Sequence, residues 1–158
     1  MPITLNDLTV NFAHLDAATL LEDWRWLIGT EKRPVLISAL GDAFLQGSDG
    51  SIYLLSAGEG ALAAVAGSAE EFRALLGDRA FVTEYFAPHV IVNLRNRGAD
   101  LKPGQLFGYK VPPHLGGSYS EDNLEPTDIA VHFSLLGQLH AQARMLPPGT
   151  PISGASIG

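Results

Sequence analysis

The spacing of apolar positions changes along the chain, and each change marks a different kind of element. Between Asp16 and Ile28, the residues Leu20, Trp24, Leu27 and Ile28 recur at i, i+4, i+7 and i+8, the stripe of one helix face. Asp16 is placed to cap this helix, a later start at Thr19 would put Glu22 in a capping box, and Gly29 supplies the residue that ends it. Trp24 and Trp26 are two residues apart and so lie on different faces; one points inward, and the other is either tucked under a neighbouring loop or open to a partner. From Pro34 to Gly67 the period shortens. Pro34 to Leu40, Ala43 to Gln46, Ser51 to Ser56 and Ala61 to Ala66 are short apolar or alternating runs separated by glycine-rich turns, which predicts an antiparallel meander. Asp49-Gly50 is a good hairpin signal, because glycine tolerates the positive φ of a tight turn and Asp49 can hydrogen-bond within it.

Helical spacing then returns. Ser68 with Glu71 three residues on, followed by Phe72, Leu75 and Leu76 and stopped by Gly77, predicts a second helix. Phe81, Tyr85 and Phe86 begin a pattern that resumes through Val90, Ile91 and Leu94 to Gly98. Pro88 in its middle, lacking an amide hydrogen, either kinks one helix or opens another. Gln105 to Val111 reads as a further strand and Thr127 to Met145 as a closing helix. The expectation is a single α+β domain over residues 1–158: a central antiparallel sheet of about five strands with the first, middle and closing helices packed on it.

Composition narrows the function classes. With 158 residues, 46% of them hydrophobic, the chain can bury one core of ordinary size. Met1 to Val10 contains Asn6 and Asp7 where a secretory leader would carry an apolar run. No stretch approaches the roughly 20 apolar residues of a membrane span, so a cytoplasmic protein without membrane attachment is expected. There is no cysteine, which excludes disulfides, thiolate metal sites and a thiol nucleophile. Seventeen acidic against ten basic residues give a net charge of −7, a surface that repels phosphate backbones and attracts basic proteins; direct nucleic-acid binding is not expected.

Candidate chemistry is sparse. Gly58-Glu-Gly60-Ala-Leu-Ala63 follows a strand in the spacing of a dinucleotide fingerprint, but Gly67 and the cap at Ser68 leave no room for the required helix, so a glycine-rich hairpin is the better reading. His132 and His140, eight residues apart on the closing helix, fall about 80° apart and two turns apart, too far to share one metal ion. His14, His89 and His114 are isolated in sequence, and no Gly-x-Ser-x-Gly elbow occurs. Neither catalytic residues nor a cofactor or metal site are therefore assigned. Glu121, Asp122 and Glu125 cluster beside Tyr119 after the Gly116-Gly117 turn. They read either as a solvated loop near the positive end of the closing helix or as an acidic, aromatic patch fitted to a basic groove on another protein.

The ordered set Phe107-Gly-Tyr-Lys-Val-Pro-Pro-His-Leu-Gly-Gly, Glu121-Asp-Asn-Leu-Glu-Pro-Thr-Asp, Val131-His-Phe-Ser-Leu-Leu-Gly-Gln-Leu-His and Leu146-Pro-Pro-Gly-Thr resembles the C-terminal domain of type VI secretion immunity proteins of the Tdi kind. Asp23-Trp-Arg-Trp-Leu-Ile-Gly, Ala39-Leu-Gly-Asp-Ala-Phe and Asp49-Gly-Ser-Ile-Tyr look like the same domain and, more distantly, like the SUKH immunity superfamily. The resemblance implies a non-enzymatic, SUKH-like α+β domain over residues 1–158; such proteins often carry an additional N-terminal module resembling a GAD domain, and this chain departs from that pattern by beginning directly with the shared domain. The resemblance also implies that the domain binds and neutralises a cognate toxin, a nuclease in the proteins it resembles. Tyr119, Glu121, Asp122 and Glu125 are then the expected partner-binding residues. Two other classes remain open: a regulatory or scaffold module with a non-toxic partner, and a small-molecule enzyme with a pocket lined by Tyr109, His114 and His132.

Overall fold

A computed structural model describes residues 3–145. The Leu146-Pro-Pro-Gly-Thr segment of the resemblance lies outside the described residues. Five antiparallel strands form the main sheet in sequence order: β1 (Thr9–Val10), β2 (Lys32–Ser38), β3 (Ala43–Gly47), β4 (Ile52–Ser56) and β5 (Ala61–Ala66). The last four are the meander expected from the glycine-punctuated runs. Gly50 takes φ +85° in the β3–β4 turn, where Asp49 accepts the Ser51 amide at 3.0 Å.

The sheet is sandwiched between helices because β3 and β4 are apolar on both faces. Ala43, Leu45 and Leu55 turn to one side, where they meet Leu20, Leu21, Trp24, Ile28, Phe133 and Leu136. Phe44 and Ile52 turn to the other, against Phe72, Phe86, Ile91 and Leu94. Phe44 anchors that second core, with its ring centroid 5.0 Å from Phe72 and 5.4 Å from Phe86.

A short helix α1 (Leu5–Leu8) leads into β1. The first long helix expected from the sequence is divided into α2 (Ala17–Leu20), a 3₁₀ turn at Glu22–Trp24 and α3 (Arg25–Ile28), with Asp16 capping its start and Gly29 ending it at φ +74°. The 3₁₀ turn falls where the closing helix crosses. There the Ser134 hydroxyl donates to the Asp23 carboxylate at 2.6 Å, and the Trp24 indole N–H donates to the Phe133 carbonyl at 2.8 Å. Trp24 is 0% exposed and Trp26 37%, the division that their spacing requires; Trp26 stacks on Trp24 and sits beneath the Arg144 guanidinium.

On the opposite face, α4 (Ala69–Leu75) begins at Ser68, whose hydroxyl accepts the Glu71 amide while Glu71 reaches back to the Gly67 amide. Pro88 opens a helix of its own: α5 (Arg79–Phe86) and α6 (Pro88–Asn96) are separated by Ala87 in the left-handed region, φ +43°. The residue before a proline is excluded from the helical basin, so the chain turns there.

Two features differ from expectation. The strand at Gln105 is β6 (Gln105–Tyr109), and it does not join the main sheet; it pairs with β7 (Leu124–Asp128) in a separate two-stranded ribbon, and the fifth strand of the main sheet is β1. β7 itself was hidden in the sequence, because Leu124-Glu-Pro-Thr-Asp has the composition of a loop and pairs only along one side. The closing helix α7 (Ile129–Arg144) starts when the Asp128 carboxylate accepts the Val131 amide.

Candidate partner-binding face

The ribbon β6–β7 carries residues 110–123 at its open end, and the loop is closed by a single asparagine. Asn123 donates its side-chain amide to the carbonyls of Val111 and Ser118, both at 2.7 Å, and its Oδ1 accepts the Val111 amide at 3.0 Å. Its own carbonyl accepts the Lys110 amide. Gly117 passes so close to the Val111 carbonyl that a Cβ there would stand 1.8 Å from the oxygen. A 3₁₀ turn at Glu121–Asn123 is capped by Ser120.

Of the four expected site residues, Tyr119 is the aromatic one and is 66% exposed; it meets Tyr109 edge to face at 5.9 Å. The structure brings Glu121 and Asp122 together but does not leave them free. Arg97, just past the end of α6, donates to Asp122 at 2.6 Å and lies 3.6 Å from Glu121, which also accepts from Asn93 at 2.9 Å. The acidic turn is therefore tied to α6 by partly exposed ion pairs, each of them worth little stability on its own. Glu125 is not on the loop; it stands exposed in β7, opposite Gly108. Val111, also exposed, and the backbone from Gly116 to Ser120 border a shallow open depression beside Asp122.

Behind this face lies a buried polar layer that sequence reasoning missed. His132 donates its Nε2 hydrogen to the Gly41 carbonyl at 2.8 Å, in the β2–β3 turn, and His140 does the same to the Ala57 carbonyl at 3.0 Å, in the β4–β5 turn. Their eight-residue spacing thus pins α7 to two separate turns. Burial holds His132 down at about 4 and also lowers His140. Asp42 accepts the Ala57 amide at 3.2 Å, and burial raises it to about 7. Each ring packs against a glycine. A Cβ on Gly41 would strike His132 at 2.5 Å, and one on Gly60 would strike His140 at 2.6 Å.

His114 is not isolated. It stacks on His140, centroids 3.9 Å apart and planes 21° from parallel. Tyr109 covers Gly58, His114 covers His140, and His132 is enclosed between Gly41 and Gly108. Gly58 to Ala63 form the β4–β5 turn and the start of β5, not the opening of a helix. Among the described residues, no three His, Asp or Glu side chains are placed to hold a metal ion, and no helix is long and apolar enough to cross a membrane.

Residues 66–140, just under half of the chain, match the family model described as T6SS immunity protein Tdi1, C-terminal. The segments at Phe107, Glu121 and Val131 fall inside that match; those at Asp23, Ala39 and Asp49 fall outside it but build the same sheet and core. No curated protein gives a significant sequence match. Among solved structures the fold is similar to Atu4351 from Agrobacterium tumefaciens, with TM-score 0.59 and 16% identity over 77% of this chain. The chain spans 64% of the length of that structure, and the likeness is one of fold.

Proposed function

We propose, from the match of residues 66–140 to the family model of the T6SS immunity protein Tdi1 C-terminal domain, that this protein is a cytoplasmic, non-enzymatic immunity protein over residues 1–158. It binds a cognate secreted effector, a basic nuclease, and blocks it by occupying its active groove. The contact is made by the loop that presents Tyr119, with Glu121, Asp122 and Glu125 around it.

The observation that carries this reading beyond the family is the build of that loop. An exposed aromatic ring stands on a segment held by Asn123 and Arg97, so little conformational freedom is left to lose on binding. Aromatic anchors with charged surroundings are typical of the residues that dominate interfaces. The net charge of −7 adds attraction to a basic partner, which raises association rates by about 10 to 10³.

The test is co-expression with candidate secreted effectors from the same genome, followed by co-purification at low and high salt. Capture of a basic, toxic protein together with restored growth is expected. Capture of a non-toxic housekeeping complex instead would contradict the immunity reading and favour a regulatory module.

A further inference from the structure

Both ring nitrogens of His114 are shielded from solvent and lack a hydrogen-bond partner among the described residues. Such a ring is tolerable when neutral and costly when charged, because an imidazolium presents two N–H donors that need acceptors. Its flat face meets His140, whose Nε2 is engaged with the Ala57 carbonyl. His114 sits in the 3₁₀ turn Pro113–Leu115, inside the loop that ends in Tyr119. Proton uptake by His114 therefore favours the ring leaving the stack, and the turn with it.

We propose that the His114–His140 stack is an acid-sensitive latch that holds the 110–120 loop, and with it Tyr119, against the body of the protein. Its bearing on partner binding rests on the contact face proposed above; the latch itself does not.

The charged groups around the stack do not rescue a buried cation. Arg144, on α7 itself, disfavours further positive charge at His140. Tyr109, on β6, is neutral, its phenol raised by burial. Asp42, at the β2–β3 turn, acts on the neighbouring Tyr109, and because burial lifts it to about 7 it is already protonated well above pH 4. Glu59, in the β4–β5 turn, is exposed and largely screened. His114 is held at about 4 by desolvation and by His140, against about 6.5 for a released ring. The docked loop is thus fully favoured above pH 6.5 and loses that advantage as pH falls through 4.

Hydrogen exchange tests this without a partner. The amides of Leu115, Gly116 and Gly117 donate to the carbonyls of Pro112 and Pro113 and report the turn directly. Between pH 7.5 and 4.5 their protection factors are expected to fall on the order of 100-fold, from the two proton affinities just given, while amides of β3 and β4 keep theirs. His114→Phe keeps a flat ring that cannot titrate and should abolish the fall. In parallel, the imidazole resonance of His114 in the wild type should titrate well below 6.5. The latch is refuted by loop protection that does not change with pH, by β3 and β4 losing protection in step with the loop, or by His114→Phe showing the same fall as wild type. A His114 resonance that titrates near 6.5 refutes it equally.

Discussion

Asn123 holds Val111 from both sides, donating to its carbonyl at 2.7 Å and accepting its amide at 3.0 Å, so one side chain does for the 110–123 loop what a second pair of strands would do. Asn123→Ala removes these bonds and the one to Ser118 without touching either apolar core. Net hydrogen bonds contribute about 1 kcal/mol each, and the exposed position discounts that, so a total loss of about 1–2 kcal/mol is expected. Loop amides should lose protection while a thermal melt shifts by only a few degrees. A melt shifted as far as by a core truncation would mean that the loop is part of the core's cooperative unit.

Arg97 neutralises part of the acidic turn that the sequence offers as a bare cluster. Arg97→Gln should change stability by less than about 1 kcal/mol, since all three side chains are partly or largely exposed. It raises the net negative charge of the face, so association with a basic partner should become about two- to tenfold faster at low salt and no faster at high salt. Stopped-flow binding at two ionic strengths reads both effects.

Two buried titrations act in opposite senses between about pH 4 and 7 and largely offset one another. His132, at about 4 when folded and about 6.5 when unfolded, binds its proton better in the unfolded chain. Its contribution is present above pH 6.5 and is lost as pH falls through 4. Asp42, at about 7 when folded against 3.8 ordinarily, binds its proton better in the folded chain. Its contribution is present below pH 3.8 and is lost as pH rises through 7. Asp42→Asn keeps an acceptor for the Ala57 amide and should be more stable than wild type at pH 8 and indistinguishable at pH 4. Denaturant melts across that range are the check, and equal differences at both ends would remove Asp42 from the account.

Gly137 lets α7 touch the 3₁₀ turn of the first helical segment, where an added Cβ would stand 2.7 Å from the Asp23 carbonyl oxygen. Gly137→Ala improves helix propensity by about 1 kcal/mol, yet the backbone on the other side cannot swing away as a side chain could. Overpacking of this kind costs about 1–3 kcal/mol, so the variant should be less stable than wild type despite the better helix former. A stabilised Gly137→Ala would show that the two segments separate easily.

Local signals were legible wherever they were also sufficient. Asp16, Ser68 and Gly29 mark helix ends, and the runs from Pro34 to Ala66 mark the meander, because caps and glycine turns act within a few residues. The division of the first helix was not legible, since it depends on contacts with Phe133, Ser134 and Gly137 more than a hundred residues away. Nor was β7, whose proline and acids read as a loop until Gln105–Tyr109 supplies a partner. In the candidate site, the residues Tyr119, Glu121, Asp122 and Glu125 could be picked out from composition alone. Their pairing with Arg97 and Asn93 could not, because α6 approaches them only in the folded chain. Sequence spacing bears on the histidines only as metal ligands, whereas the partners of His132 and His140 are main-chain carbonyls, which no residue pattern records.

The central claim is that this protein neutralises an effector through the loop bearing Tyr119, and the most direct measurement is effector affinity and growth protection for Tyr119→Ala combined with Glu121→Lys, Asp122→Lys and Glu125→Lys. The account predicts tight binding and full protection by the wild type, and for the combined variant, with its fold intact by thermal melt, a loss of at least 100-fold in affinity together with loss of protection. Wild-type affinity and protection in the combined variant would contradict it.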